Sequence, residues 1–301
     1  MRIAQDLRFM MEPPSDLPPE IAEERRRTFW SLYILDRLVS CGRGRPPAIL
    51  DSSCQLQLPS DEDTWRERRW RQNPTLEQVT NRALVSLDQQ GPLAHAVIMA
   101  YTLSRGAQYI LQGFNSRNRY PPWDSSSDFA AIESDLFYLE TALQMDRSLA
   151  SMIEPYRGED GQMDQATTGP IVFSRALFHL SYCLLYHPFL LRKRIESFQI
   201  TAPASFLSRT FDSGWDHAKH LTELLREARE AGCMTQASFY SYCAVICGTI
   251  FALNIHGEKE HTRNSSFPLL QEITAYLERM GQYWKNASSM VRVNTQPEGG
   301  D

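Results

Sequence analysis

Three side chains that can ligate a metal recur at intervals of four in the segment LFHLSYCLLYHPFLLRKR. They are His179, Cys183 and His187. Residues four apart lie on one face of an α-helix, so this spacing would place two imidazoles and a thiol on the same side. No further ligand is spaced nearby, and the leucines and tyrosines around them are typical of a buried helix. We therefore expect core or edge residues with no metal bound, and a ligand-facing surface is the alternative.

A second polar cluster contains Asp216, His217, His220 and Glu223 and follows a Gly-Trp pair. Histidines and carboxylates together can perform acid–base chemistry. A carboxylate near a helix N-terminus also has a capping role, and we predict that Asp216 lies at such a position. We expect capping and no catalytic residues. The alternative is an all-α small-molecule-binding or metal-binding domain that uses one of the two histidine groups.

The stretch EERRRTFWSLYILDRLVSCGRGRP, residues 23–46, combines three consecutive arginines, a Phe-Trp pair and a glycine-rich turn. It contains no nucleophile paired with a histidine, and its glycines match neither the dinucleotide-binding pattern nor the P-loop pattern. The end of a helix already explains them. Carboxylates interleaved with the arginines argue against a nucleic-acid patch or a nuclear import signal. A structural role is the better interpretation.

One carboxylate of this stretch should need a partner. On a helix, Phe29, Asp36 and Val39 fall on one face, and Trp30 and Arg37 on the neighbouring one. A carboxylate inside an apolar stripe requires a charged or donor group to offset its desolvation. We predict that the following loop folds back and that a nearby arginine reaches the carboxylate. The candidates are Arg25, Arg26, Arg43 and Arg45.

Composition sets limits on the class of protein. The chain has 301 residues, 42% of them hydrophobic, and a net charge of -5, which disfavours nonspecific nucleic-acid binding. Its six cysteines include no C-x-x-C pair, so neither a disulfide framework nor a zinc knuckle is indicated. No run of eighteen apolar residues and no signal-peptide core is present, and we expect a soluble, non-secreted chain without membrane contact.

The pattern of apolar residues predicts an all-α fold, a multi-helix regulatory domain with long surface loops and no sheet of consequence. A helix is predicted from about 19 to 40, ended by Gly42 and Gly44. Further helices are predicted at 75–113, 128–153, 170–187, 214–231, 236–255 and 267–285. We expect one domain over 1–293, with a signature segment at 1–73, a C-terminal helical part at 74–293 and a disordered tail at 294–301.

Residues 23–65 resemble the signature of the fungal-specific transcription factor domain, also called the xylanolytic transcriptional activator regulatory domain or middle homology region. In that family an arginine cluster precedes Phe-Trp, and an Asp-Arg pair, Gly-Arg-Pro and Leu-Pro with acidic residues and Trp follow. The matching residues are Arg25, Arg26, Arg27, Phe29, Trp30, Asp36, Arg37, Gly44, Arg45, Pro46, Leu58, Pro59, Asp61 and Trp65. The segments at 177–194 and 238–257 are also similar to the family.

The resemblance implies that the chain is the regulatory region of a nuclear transcription factor. Such a region would control transcription by RNA polymerase II through protein or ligand contacts, and it would not be an enzyme. It implies a structural hub made of Arg26, Phe29, Trp30, Asp36, Arg37, Gly44, Arg45, Pro46, Pro59 and Trp65. Six closely spaced cysteines hold two zinc ions in the family's N-terminal DNA-binding module. This chain lacks that spacing, so we expect no cofactor in it, zinc only in a missing module, and a truncated N-terminus.

The expected partners follow from the same resemblance. They are transcriptional coregulators or a full-length family member, together with a small-molecule effector, and a homodimer is a further candidate. DNA is expected only through the missing N-terminal module. The remaining alternative is a DNA-less, dominant-negative regulator that pairs with full-length relatives and blunts their activity.

Overall fold

The computed structural model describes residues 8–42, 46–82, 86–111, 120–255, 257 and 259–287. Within these ranges the chain forms eleven α-helices and three short 3-10 helices. Strand-like pairing in the same ranges is confined to two isolated bridges, Gln57 with Thr75 and Arg157 with Met163. The predicted all-α class is confirmed. None of the described helices has the length and apolar character needed to cross a membrane.

The helices are numbered in chain order. The α-helices are α1 (Pro19–Cys41), α2 (Glu62–Arg66), α3 (Leu76–Thr80), α4 (Pro92–Leu111), α5 (Asp128–Ala142), α6 (Leu149–Ile153), α7 (Gln165–Leu185), α8 (Pro188–Glu196), α9 (Ala204–Glu230), α10 (Ser238–Asn254) and α11 (Glu260–Gly281). The 3-10 helices are Asp51–Ser53, Leu87–Gln89 and Glu154–Tyr156.

The described residues belong to two compact units. The first comprises residues 1–112 and 132–177, and the second comprises 113–131 and 178–301. In the first unit α1 packs against α4, and in the second α10 packs against both α9 and α11. The division falls within the sequence ranges of α5 and α7. One domain over 1–293 stays a prediction.

Helix α1 has nearly the predicted bounds. Pro19 occupies its first turn, where the missing N–H costs no helical hydrogen bond, and Gly42 caps its end. The φ of Gly42 is -96°, so this helix ends without the left-handed glycine that often closes a helix. Gly44, the other predicted terminator, lies outside the described residues.

The buried face of α1 differs from the predicted one. Its buried side chains include Ala22, Arg26, Phe29, Tyr33 and Arg37, which recur at intervals of three and four. Val39, predicted to lie on the core face, is 39% exposed. The helix therefore buries a stripe that is shifted toward its charged residues, and those charges must be satisfied within the fold.

Two predicted helices are each divided in the structure. The range predicted as one helix at 75–113 contains α3 and α4, and the range predicted as one helix at 128–153 contains α5 and α6. Arg82 and Gln144 have φ values of 51° and 52°, so the left-handed residue that ends α3 and α5 is not a glycine. After α5, the N–H of Met145 donates to the carbonyl of Glu140 at 2.8 Å. The end of α5 therefore carries no glycine signal in the sequence, whereas the Gly-Pro pair at 91–92, where α4 begins, is a local signal that the prediction missed.

The region around 188–230 also differs from the prediction. Helix α8 was not predicted, because Pro188, which directly follows the predicted helix at 170–187, occupies the first turn of another helix. Helix α9 begins at Ala204 instead of 214. Gly214 lies inside α9, and a Cβ there would be 3.0 Å from the carbonyl oxygen of Tyr186. Its role is close packing, not the start of a helix. Helix α11 likewise starts earlier than predicted.

Candidate functional site

The carboxylate of Asp36 lies buried beneath the loop that follows α1. It accepts hydrogen bonds from the backbone N–H groups of Ala48 at 3.0 Å and Ile49 at 2.9 Å. Arg37 Nη1 donates to the same carboxylate at 3.2 Å. The loop folds back onto the helix as predicted. Among the described residues, the contacts to this carboxylate come from two backbone amides and from the adjacent Arg37.

The four arginines predicted as partners of Asp36 do not have this role where the structure describes them. Arg25 and Arg26 precede Asp36 by ten or eleven residues on one helix, which separates them by about 15 Å along its axis. Arg43 and Arg45 lie outside the described residues. The prediction of an Arg25 or Arg26 partner is wrong, because a straight helix holds these side chains too far from Asp36.

Arg37 is the most enclosed charged residue of this region, with 1% of its surface exposed. Its Nη2 donates to the carbonyl of Ile49 and to Asp51 Oδ1, each at 2.7 Å, and its guanidinium lies 4.1 Å from the centre of the Tyr33 ring. Tyr33 donates its hydroxyl to the same Asp51 oxygen at 2.5 Å. Burial raises the pKa of Tyr33 far above its usual value, so the phenol remains a neutral donor.

Glu23 is a second buried carboxylate of α1. Its Oε1 accepts from Arg27 Nε at 3.1 Å and from the N–H of Ser60 at 2.8 Å, and its Oε2 lies 3.4 Å from Arg26 Nη1. Burial raises the pKa of Glu23, and this effect exceeds the opposing influence of the Ser60 amide and the two arginines. The carboxylate thus depends on its donors, because solvent does not reach it.

Arg27 connects α1 to α2. Its Nη1 donates to Glu62 Oε1 at 2.7 Å and its Nη2 donates to the carbonyl of Ser60 at 2.8 Å. The guanidinium also lies 4.1 Å from the centre of the Trp65 ring. Planar, multidentate contacts of this kind require arginine and not lysine. Trp65, a predicted hub residue, is half-buried and contacts Arg27 through this stacking.

Arg26 and Trp30 fix the segments on either side of α1. Arg26 pairs with Glu12 through Nε at 2.8 Å and through a second, shorter contact of Nη2. The other Glu12 oxygen accepts from the N–H of Gln57 at 3.0 Å, and Trp30 Nε1 donates to the Gln57 carbonyl at 2.7 Å. The backbone of Gln57, which follows the helix in sequence, is therefore held by the side chains of Glu12 and Trp30.

The other hub residues in the described ranges differ in their burial. Phe29 and Trp30 have no exposed surface and meet edge to face with their ring centres 5.2 Å apart. Pro59 is buried, whereas Pro46 is exposed. The hub residues outside the described ranges are Gly44 and Arg45.

Arg26, Arg27 and Arg37 and the carboxylates that they contact form a network of ion pairs and hydrogen bonds around α1. The sequence did not indicate which carboxylates pair with these arginines. They are Glu12, Glu23, Asp51 and Glu62. A signal for them existed in the arginines themselves, because a buried guanidinium requires an acceptor. The identity of the acceptor depends on the path of the loops, which local patterns do not specify.

The fold separates the three residues of the first metal hypothesis. Cys183 is fully buried beside Cys247, and burial raises the pKa of its thiol well above the usual value. His187 lies with its Nε2 2.9 Å from the hydroxyl of Thr249. Burial lowers the pKa of His187 to about 4. Neither residue is positioned with His179 around one centre.

His179 instead lies beside the second polar cluster. Its Nδ1 is 3.0 Å from Nδ1 of His217, and His220 is close to both rings. Burial lowers the pKa of His217 to about 3, with a smaller contribution from His220. Asp216 is exposed and lies twelve positions after the first residue of α9. The predicted capping role of Asp216 is therefore wrong, because the helix begins earlier than we expected.

The second unit also contains an apolar cleft of about 480 Å³. The residues that line it include Tyr186, Leu191, Ile195, Ile200, Leu207 and Phe211. Its size and its mostly apolar lining are typical of sites for small organic molecules. The sequence indicated no such site, because the lining comes from the residue after α7, from α8, from the loop that follows it and from the first turns of α9.

Comparison with known families assigns the region around α1. A family model described as "Fungal specific transcription factor domain" matches residues 1–166. The chain belongs to this family. The matched range contains the whole network around Arg26, Arg27, Asp36 and Arg37, and it confirms the resemblance of the signature segment. The histidine cluster of His179, His217 and His220 and the apolar cleft lie beyond the matched range of the fungal-specific transcription factor domain.

Individual relatives agree with the family. The Zn(2)-C6 fungal-type transcription factor FTF1a of Fusarium oxysporum f. sp. lycopersici is 26% identical over 290 residues, which are 91% of this chain and 25% of that protein. FTF1c of the same organism is 26% identical over 285 residues, 91% of this chain and 30% of that protein. The uncharacterized transcriptional regulatory protein C3C7.04 of Schizosaccharomyces pombe is 41% identical over 58 residues, 19% of this chain and 7% of that protein.

The chain spans less than a third of the length of the Fusarium oxysporum factors that it resembles. No solved structure matches it.

Proposed function

We propose that this chain is the regulatory region of a fungal transcription factor and controls transcription by RNA polymerase II in the nucleus. The observation that carries the proposal is the family match over residues 1–166, which coincides with the buried network of the signature segment. Arg26, Arg27 and Arg37 pair with internal carboxylates. This pairing supports a structural role for the signature arginines and argues against their direct binding to nucleic-acid phosphates.

DNA contact, in this proposal, belongs to a zinc-cluster module outside these 301 residues. The Fusarium oxysporum relatives are named as Zn(2)-C6 factors. The six cysteines of this chain are all buried and lie at Cys41, Cys54, Cys183, Cys233, Cys243 and Cys247. Their positions along the chain do not match a compact cluster of six thiolates, so they support a role in packing. The chain itself then acts through protein or ligand contacts.

Two surfaces support such contacts. The cleft of the second unit has the size and lining for a small apolar effector. On α1, Leu35 is 52% exposed and Val39 is 39% exposed, and they lie one turn apart. Apolar side chains paired in this way on a helix suit a protein partner. We propose coregulators or a full-length family member as that partner, with a second copy of the chain as the alternative.

The proposal is tested by tethering. The full chain is fused to a heterologous DNA-binding module in a fungal host, and transcription of a reporter with the matching sites is measured. We expect the fusion to change reporter transcript levels relative to the DNA-binding module alone. Equal transcript levels for the fusion and the module, with the fusion present in the nucleus, would contradict the proposal.

A further inference from the structure

Three histidines from two helices converge in the second unit. His179 lies near the C-terminal end of α7, and His217 and His220 are three residues apart on α9, so that they share one face of that helix. One ring nitrogen from each residue lies within 4.8 Å of the other two. The sequence spacing suggested other partners for His179, because a ligand contributed by a different helix is not visible in a local pattern.

The separations suit a metal ion. Three atoms that are mutually within 4.8 Å have a common centre within about 2.8 Å of each, and zinc binds imidazole nitrogen at about 2.0–2.1 Å. Side-chain shifts of less than about 1 Å would complete the site. Nδ1 of His179 and Nδ1 of His217 are 3.0 Å apart. Two nitrogens around a tetrahedral zinc ion would be separated by about 3.3 Å.

Aromatic packing orients two of the three rings. Tyr182 stacks on His217 with the ring centres 3.9 Å apart and the planes 7° apart. Phe178 meets His179 and His217 edge to face at 5.3 Å and 5.8 Å. His220 is exposed, so one side of the cluster is open to solvent. Ligands that are already oriented lose little side-chain freedom when an ion binds, which favours affinity, and the open side gives the ion access from solvent.

We propose that His179, His217 and His220 form a binding site for a divalent d-block cation of the zinc class. Three imidazoles supply the protein ligands, and water or an external group takes the fourth position. Imidazole donors favour zinc, copper or nickel over magnesium and calcium, which prefer oxygen ligands. The bound ion would join α7 to α9 within the second unit. This proposal is independent of the proposed function and replaces the expectation of a metal-free chain.

The test is a zinc titration of the purified full chain after treatment with a chelator. Calorimetry at pH 7 measures stoichiometry and affinity for the wild type, His220→Ala, His217→Gln and the matched control His261→Ala. His261 is an exposed histidine of α11 outside the cluster. We expect one equivalent of zinc to bind the wild type and the control. Affinity should fall at least about tenfold in the two cluster variants, since loss of even an outer-shell partner costs about 10–100-fold.

A second readout is the melting temperature. Zinc should raise it in the wild type and in His261→Ala, because a ligand that binds only the folded state stabilises that state, and magnesium should not. His220→Ala changes an exposed side chain, so it keeps the test decisive if His217→Gln fails to fold. No binding of zinc to the wild type, or equal affinity in the wild type and His220→Ala, would overturn the proposal.

Discussion

At the scale of single residues, the chain holds several charges away from water, and Asp36 shows how. Its carboxylate accepts from the N–H groups of Ala48 and Ile49 and from Arg37, while Asp51 neutralises the other side of Arg37. A buried ion pair adds little net stability, yet removal of one member is costly because the remaining polar groups lose their partners. The value of Asp36 therefore lies in fixing the loop that follows α1.

We predict that Asp36→Ala lowers the free energy of unfolding by about 3 kcal/mol, because the N–H groups of Ala48 and Ile49 and part of Arg37 lose their acceptor. Urea unfolding of the purified chain provides the measurement. The matched control is Glu24→Ala, an exposed carboxylate on the same helix, which should change stability by less than about 0.5 kcal/mol. A loss below about 1 kcal/mol for Asp36→Ala would show that its carboxylate is solvated.

The buried ring of His187 makes the stability of the folded chain depend on pH. Its Nε2 faces the hydroxyl of Thr249, whose own proton is donated to the carbonyl of Ile246 at 2.8 Å. Its Nδ1 is buried and has no hydrogen-bond partner among the described residues. These contacts suit a neutral ring with its proton on Nε2. They agree with the pKa of about 4 that burial produces.

The sign of the effect follows from the two pKa values. The unfolded histidine has a pKa of about 6.5 and takes up a proton before the folded one does, so stability falls as the pH drops from about 6.5 to about 4. We predict that His187 accounts for up to about 3 kcal/mol of this loss. His187→Gln should show a smaller loss between pH 7 and pH 4.5 than the wild type in urea unfolding.

His261→Gln is the matched control, and it should keep the wild-type pH dependence because this histidine is exposed. The same loss of stability in the wild type and His187→Gln would contradict the assignment to His187.

At the scale of elements, the path of the chain before α4 depends on one glycine. A Cβ at Gly91 would lie 2.6 Å from Cα and 2.9 Å from the backbone nitrogen of Asp61, which caps α2. Backbone atoms cannot move aside as a flexible side chain can. A Cβ at Gly106, in the interior of α4, would meet no atom within 4 Å beyond its own helix. The two glycines thus differ in what an added methyl group would contact.

We predict that Gly91→Ala lowers the free energy of unfolding by about 1–3 kcal/mol through overpacking. Gly106→Ala should raise it by about 0.5–1 kcal/mol, because alanine loses less backbone freedom than glycine in a helix. Thermal or urea unfolding of the two variants compares the same substitution in one unit. Changes of the same sign in both variants would show that the close approach to Asp61 is not a constraint.

The elements also show what the sequence was able to predict. Helix α1 was predicted to within about one residue at its end, because Pro19 and Gly42 are local signals. The break after α5 was not predicted, because Gln144 takes the left-handed conformation usually reserved for glycine. Gly214 was misinterpreted because its reason is the nearby Tyr186 backbone, which only the folded chain brings there.

The candidate site was predictable to a similar degree. The burial of Trp30, Asp36 and Arg37 follows from their helical spacing. The acceptor Asp51 and the meeting of His179 with His217 depend on contacts between elements far apart in sequence. Local patterns identify residues that need a partner, and the tertiary fold decides which partner they obtain.

At the scale of the whole molecule, the family match and the net charge point to regulation. The match to the fungal-specific transcription factor domain covers residues 1–166, whereas the relatives in Fusarium oxysporum align over 91% of the chain. A net charge of -5 gives no overall attraction to DNA. Both observations support the proposal that regulation resides in this chain and that sequence-specific DNA contact belongs to a module outside it.

The measurement that tests this central claim most directly is the tethered reporter, carried out with the wild type, Glu24→Ala and Asp36→Ala. Transcript levels are normalised to the amount of nuclear fusion protein. We predict that the wild type and Glu24→Ala change reporter transcription equally and that Asp36→Ala has a weaker effect, because it loosens the loop after α1. A wild-type fusion that leaves transcription at the level of the DNA-binding module alone would contradict the claim.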